Sequence, residues 1–206
     1  MITIIDYNAG NLTSVKRALD YLGIQSEITQ ESERIRNAER VIFPGVGHAQ
    51  AAMTMLKERK LDLALIDAFS RGTPVLGICL GSQIILSASE EGDTQCLGLI
   101  SGSCPRFRLK NPDLKIPHMG WNAVVVKKKH AVLKDVRAGD EFYFVHSYYT
   151  LPKSRDTVFA TAEYEIEFPV ALGHRNLFAV QFHPEKSGAA GLQILKNFSE
   201  WDGVSC

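Results

Sequence analysis

Val75-Leu76-Gly77-Ile78-Cys79-Leu80-Gly81-Ser82-Gln83 is the stretch on which the fold turns. Entered through Gly72-Thr73-Pro74, its first residues read as a strand, Val75 to Ile78, apolar on both faces and therefore buried on both. The amphipathic stretch Ser82 to Ala88 reads as a helix, so the backbone passes from strand to helix between Cys79 and Gly81. Glycines two positions either side of Cys79 allow a sharp, strained turn and a close approach of helix to strand, the context of a nucleophile elbow with Cys in place of Ser. The thiol then sits at a helix N-terminus, which favours thiolate, and the Leu80 N–H points toward an oxyanion. The same letters also suit a small buried thiol without chemistry.

Working outward, the first half alternates apolar β-branched runs with helical periodicity. Ile2 to Ile5 is the first strand. Asn11 caps a helix whose Leu12, Val15, Leu19 and Leu22 form one apolar stripe. Gln25 to Thr29 is the next strand, Val41 to Phe43 a third, halted by Pro44-Gly45. A helical stretch from about Gln50 to Phe69, broken near Arg59, leads back to Val75. Strand, helix, strand, helix implies an α/β fold: a doubly wound, mostly parallel central sheet flanked by helices, flavodoxin-like. From about Leu97 to Val180 the texture changes to short strands at Ala123 to Val126, Glu141 to Val145, Val158 to Ala162 and Phe178 to Phe182. These form an antiparallel or mixed region added to the parallel sheet. A last helix, Ala189 to Trp201, carries Leu192, Leu195 and Phe198 on one face, and Lys127-Lys128-Lys129 reads as a solvated turn. No repeat, low-complexity segment or linker marks a boundary, so residues 1–206 are expected to form one domain.

The bulk properties narrow the classes of function. At 22.8 kDa, the folded chain should expose about 9,600 Å², roughly 30% of its extended surface, enough burial for a core without staples. The 23 Lys and Arg balance the 23 Asp and Glu, which argues against nucleic acid or an anionic membrane as partner. The longest stretch without charges, Gly72 to Ser89, holds Pro74, Gly77, Gly81, Ser82 and Gln83 and does not suit lipid. Met1-Ile2-Thr3-Ile4-Ile5-Asp6 resembles no export signal, and the cytoplasm is the expected compartment. Cys79, Cys96, Cys104 and Cys206 lack C-x-x-C spacing and paired histidines, so neither metal nor a disulfide framework is expected.

A nucleophilic thiol needs a base, and the base an orienting group. Gln181-Phe182-His183-Pro184-Glu185 supplies both, at the end of an apolar run where α/β sheets place their sites. A carboxylate that close can hold one imidazole nitrogen and leave the other for a thiol. Phe43-Pro44-Gly45-Val46-Gly47-His48 adds a glycine loop after a strand. Without G-x-G-x-x-G or G-x-x-x-x-G-K it suits a second oxyanion donor better than a nucleotide.

These three pieces in this order, with Gln83 four residues after Cys79, resemble the class I, triad-type glutamine amidotransferases, whose elbow is G-x-C-x-G-x-Q and whose distal motif is H-P-E. Asp6 to Leu12, Pro44 to Gly47, Pro117-His118-Met119-Gly120-Trp121-Asn122, Phe144 to Tyr148 and Gln181 to Gly188 further resemble the branch of glutaminase subunits that serve imidazole glycerol phosphate synthases. Asn8 stands where that branch most often has Gly, and Ser82 where Met is usual.

The resemblance implies that Cys79 attacks the side-chain amide of glutamine to form a thioester, that His183 moves the proton and that Glu185 orients His183. Leu80 and, after a peptide rearrangement, Val46 or Gly47 would hold the oxyanion, and Gln83 and the Ser147 region would contact the glutamine backbone groups. It implies no cofactor. The partner it implies is a cyclase subunit of (β/α)₈-barrel type in a heterodimer, which receives ammonia and makes imidazole glycerol phosphate and aminoimidazole carboxamide ribonucleotide in histidine biosynthesis. His118, Trp121, Asn122 and Tyr143 are the candidates for a partner-facing or gating surface, with core packing as the plainer reading for Trp121 and Tyr143 and the expected one for Met119. The rival readings are a stand-alone γ-glutamyl hydrolase, an amidotransferase serving another acceptor, and a non-catalytic regulatory subunit.

Overall fold

The computed structural model describes residues 1–8, 10 and 12–204. Asn11, the expected helix cap, and Cys206 lie outside the described residues. The first half runs β1 (Ile2–Ile5), α1 (Leu12–Tyr21), β2 (Ser26–Thr29), α2 (Ser32–Arg36), β3 (Arg40–Gly45), α3 (Ala49–Glu58), α4 (Leu61–Ser70), β4 (Val75–Cys79) and α5 (Leu80–Ile84). Seven short strands follow: β5 (Ala88–Ser89), β6 (Thr94–Gln95), β7 (Gly102–Cys104), β8 (His118–Ala123), β9 (Val125–Val126), β10 (Glu141–His146) and β11 (Leu151–Pro152). The chain closes with β12 (Val158–Tyr164), β13 (Ile166–His174), β14 (Leu177–Val180) and α6 (Gly188–Glu200).

An eight-stranded sheet in the order β2-β1-β3-β4-β14-β13-β12-β9 forms the centre. It is parallel from β2 through β14 and antiparallel beyond. Alternate residues of each strand point to opposite faces, and the sequence fills both with hydrocarbon. Ile2, Ile4, Leu76, Ile78, Phe178 and Val180 face one core with Val15 and Leu19 of α1 and Ile194, Leu195 and Phe198 of α6. Ile5, Val41, Val75, Leu177 and Ala179 face the other with Met53 and Leu56 of α3 and Leu61 and Leu65 of α4. Helices on both faces of a mostly parallel sheet are the doubly wound arrangement expected from the sequence. The exposed surface, 9495 Å², sits close to the value of about 9,600 Å² that the mass alone implies.

The break expected near Arg59 falls at Lys60, which turns left-handed (φ 57°) between α3 and α4. β3 runs two residues past Phe43, through Pro44 and Gly45. β1 pairs with β3 only as far as Ile42, so the missing Pro44 N–H lies past the register of that neighbour.

Two expectations need correction, and two elements were not foreseen. Residues 82–88 are not an amphipathic helix: α5 is Leu80–Ile84, buried on every side, and Ala88 already belongs to β5. The strand expected at Ala123 to Val126 is two strands, a main one from His118 and a short edge pair. The nine-residue β13 was not anticipated, because Glu165, Glu167 and Pro169 disguise it. Pro169 is accommodated because β14 pairs with β13 only from Ala171 onward. The short α2, anchored by Ile35 alone, was also missed.

Candidate active site

β4 and β14 lie side by side in parallel, with Ile78 opposite Val180. Cys79 ends the first, and His183 follows the second by three residues, so adjacent strand ends deliver thiol and imidazole to one edge of the sheet. Cys79 is 5% exposed and has φ 52° and ψ −106°, a strained conformation for a residue bearing a Cβ. The flanking glycines are explained by clearance. A Cβ on Gly81 would lie 1.9 Å from the Phe43 carbonyl oxygen, and one on Gly77 would lie 3.2 Å from the Gly81 backbone.

His183 is 1% exposed. Its Nδ1 is 2.8 Å from Glu185 Oε1, and the Glu185 side chain is itself completely buried. The His183 N–H donates to the Tyr143 carbonyl, and the Ser187 hydroxyl donates to the His183 carbonyl. Nε2 has no hydrogen-bond partner of good geometry among the described residues and lies beside Cys79. Burial alone pulls the imidazolium down, but the charge of the neighbouring Cys79 sulfur and the hydrogen-bonded Glu185 carboxylate outweigh it and push it up to about 10. The sulfur, the imidazole and the buried Glu185 carboxylate stand in the order that a nucleophile, a base and an orienting group require.

A cavity of about 230 Å³ opens over the thiol. Val46 and Gly47 (φ 109°) form one wall, Leu80 and Gln83 the floor, and Val145 to Tyr148, including Ser147, the other wall. Thus Cys79, His183, Glu185, Leu80, Val46, Gly47, Gln83 and Ser147 converge on one site. The Gln83 amide nitrogen is already committed to the Tyr148 carbonyl at 2.9 Å and to Gln181 Oε1 at 3.2 Å.

The sequence reading passed over Glu91, Tyr7 and His146. Glu91 lines the cavity mouth and accepts from the Ala49 N–H at 2.7 Å. Its only signal was an acidic run, Glu90-Glu91-Gly92-Asp93, which reads as a solvated turn. The Tyr7 ring is buried beneath Gly45, where an added Cβ would lie 1.9 Å from its hydroxyl. Burial, with the nearby Cys79 thiol, raises that hydroxyl well above the usual tyrosine range.

The residues expected at a partner surface divide by the pleat. Along β8, Met119 (62% exposed) and Trp121 (55%) point outward, and His118 (3%) points in. Met119 is therefore not core. Trp121 packs edge-on against Tyr143, opposite it on β10, at 6.2 Å, and Lys186 Nζ lies 5.7 Å from the Tyr143 ring. Asn122 is tied down by the Glu163 carbonyl and by His118, so neither it nor His118 belongs to the outward apolar face. Among the described residues no cluster of His, Cys, Asp and Glu is arranged as metal ligands, and no helix is long and apolar enough to cross a membrane.

The family model for glutamine amidotransferase class-I matches residues 3–201. The chain belongs to the class-I glutamine amidotransferases. Within that family it is 48% identical over 203 residues to the imidazole glycerol phosphate synthase subunit HisH of Nitratidesulfovibrio vulgaris (strain DSM 19637 / Miyazaki F), covering 96% of this chain and 95% of the relative. It is 46% identical over 200 residues to the HisH subunit of Moorella thermoacetica, covering 97% and 94%. The solved structure of PurLQS from Thermotoga maritima contains a chain with the same fold, with a TM-score of 0.75 at 16% identity and 97% coverage of both. Membership of the glutamine amidotransferases accounts for an elbow that carries cysteine rather than serine.

Proposed function

We propose that this chain, as a single glutaminase domain, is the glutaminase subunit of an imidazole glycerol phosphate synthase. The observation that carries the catalytic part is the His183 Nδ1 contact to buried Glu185 at 2.8 Å, with Nε2 left bare beside Cys79. The near-full-length likeness to the HisH subunits supports the choice of acceptor pathway.

The chemistry follows from the positions. His183 Nε2 takes the thiol proton, and Cys79 Sγ attacks the γ-carboxamide carbon of glutamine. The oxyanion meets the Leu80 N–H and, once the loop peptide turns, that of Val46 or Gly47. The C–N bond breaks as His183 returns the proton to the departing ammonia. Water, with His183 again as base, then cleaves the thioester to glutamate. At the cavity mouth the Glu91 carboxylate suits the α-ammonium group. Gln83 can offer only its oxygen, since its nitrogen is bound, and the Ser147 segment supplies backbone groups to the α-carboxylate.

The ammonia needs an acceptor site beyond this chain. The outward face of β8 and β10, with Met119, Trp121 and Tyr143, adjoins the cavity wall at Val145. It is the surface we assign to a cyclase subunit of (β/α)₈-barrel type in a heterodimer. A working thiol with two further free cysteines, Cys96 and Cys104, suits the reducing cytoplasm. The test is glutamate release from glutamine by the purified chain, alone and with the cyclase and its nucleotide substrate. A large rise in the complex is expected. Equal rates in both conditions would favour a stand-alone γ-glutamyl hydrolase.

A further inference from the structure

Two amide side chains and two buried histidines lie behind the catalytic thiol, and the direction of every hydrogen bond between them can be read. His146 Nδ1 is 2.8 Å from the Tyr148 carbonyl oxygen. A carbonyl only accepts, so Nδ1 carries the proton and Nε2 is bare. His118 Nδ1, 3.0 Å from that Nε2, is therefore the donor. The His118 Nε2 is left to accept from Asn122 Nδ2 at 3.3 Å. Each ring has one admissible tautomer.

The Tyr148 carbonyl uses its second lone pair on Gln83 Nε2, at 2.9 Å. The remaining Gln83 hydrogen goes to Gln181 Oε1, at 3.2 Å. Because the Gln181 oxygen must face Gln83, its nitrogen must face the other way, and there it lies 3.9 Å from Cys79 Sγ. Gln181 is 1% exposed and Gln83 is 4% exposed, so both amides are held away from bulk solvent.

We propose that Gln181 is a further catalytic residue, whose side-chain N–H donates to the Cys79 sulfur and favours its thiolate, and that Gln83 orients it at the end of the chain Asn122–His118–His146–Tyr148. This rests on Cys79 being the nucleophile, and it gives Gln83 a positioning role besides any contact with substrate. A donor aimed at the sulfur strengthens as negative charge develops there and weakens once the thioester forms.

The test is the alkylation rate of Cys79 by iodoacetamide in the full chain, followed by mass spectrometry alongside Cys96 and Cys104 across a pH series. In Gln181→Met, which deletes the donor, the Cys79 rate should fall about tenfold at neutral pH and recover in alkaline buffer. Gln181→Glu, which keeps the acceptor for Gln83 but sets a carboxylate against the sulfur, should fall further. Should neither variant fold, Gln83→Met, which leaves Gln181 in place but removes the donor that orients it, should show the same slowing to a smaller degree. An unchanged rate and pH profile in a folded variant overturns the role of Gln181. Cys79 reacting no faster than Cys96 in the unaltered protein would instead overturn the nucleophile itself, so the two failures are told apart.

Discussion

The φ of 52° at Cys79 is held because the residues around it leave the backbone no alternative. Gly81 fits only without a side chain, since a Cβ would drive into the Phe43 carbonyl at 1.9 Å. Gly81→Ala should therefore destabilise the protein by about 3 kcal/mol, the upper end of overpacking costs, measurable by urea unfolding. The two residues that depart from the family habit are explained in place. Asn8 sits at φ 63°, where glycine is most at ease and asparagine is next best, and its N–H donates to Asp6 Oδ1. Ser82, fully buried, donates its hydroxyl to the Cys79 carbonyl at 2.7 Å. At the triad, Cys79→Ala should abolish glutamine-dependent synthesis and spare ammonia-dependent synthesis by the cyclase; loss of both would contradict the nucleophile role. Glu185→Gln removes a charge that holds the His183 proton, so the imidazolium should deprotonate at a lower pH than about 10, as read from its ring resonances by NMR.

At the scale of elements, most of the parallel half of the sheet was legible because β1, β3, β4 and β14 are apolar runs and α1, α3 and α4 each carry a buried apolar face. The site was legible for the same reason: its residues are tied to strand ends by short motifs, Gly77 to Gly81 and His183 to Glu185. What escaped was set by contacts distant in sequence. β13 hides behind glutamates that point outward, and the Gln181 amide acquires its direction only from Gln83, which is 98 residues away. The burial of His118 and the exposure of Met119 follow from the pleat of β8, whose phase depends on its antiparallel partner β10. The outward face that results makes a prediction. Trp121→Ala should change stability by less than about 0.5 kcal/mol, as for surface sites, yet weaken cyclase binding at least tenfold, as expected of an aromatic anchor. Titration calorimetry with the cyclase measures the second, and unchanged affinity would move the interface elsewhere.

For the molecule as a whole, three buried histidines set the response to acid. Burial pulls His118 and His130 down to about 4 and His146 to about 3. The unfolded chain binds their protons from about pH 6.5 downward, so their neutral burial favours the native state above that pH, and this contribution is lost as pH falls toward the folded values. His183 has the opposite sign: its contribution is full below about 6.5 and is lost as pH rises through about 10. The melting temperature should therefore drop on both sides of neutrality. His130 is stacked on Phe178 at 4.2 Å, and His130→Phe should make the acid slope shallower in melts followed by circular dichroism.

The pairing of β4 with β14 joins Val75 to Leu177 and Ile78 to Val180, so thiol and imidazole come from segments far apart in the polypeptide. A ribosome extends the chain from the N-terminus. The elbow therefore leaves the exit tunnel roughly a hundred residues before His183 can reach it. A nascent chain that has not yet reached β14 carries Cys79 without His183. The site is therefore assembled only when β14 slots in beside β4, which makes the last central strand to be synthesised the one that brings His183 to Cys79.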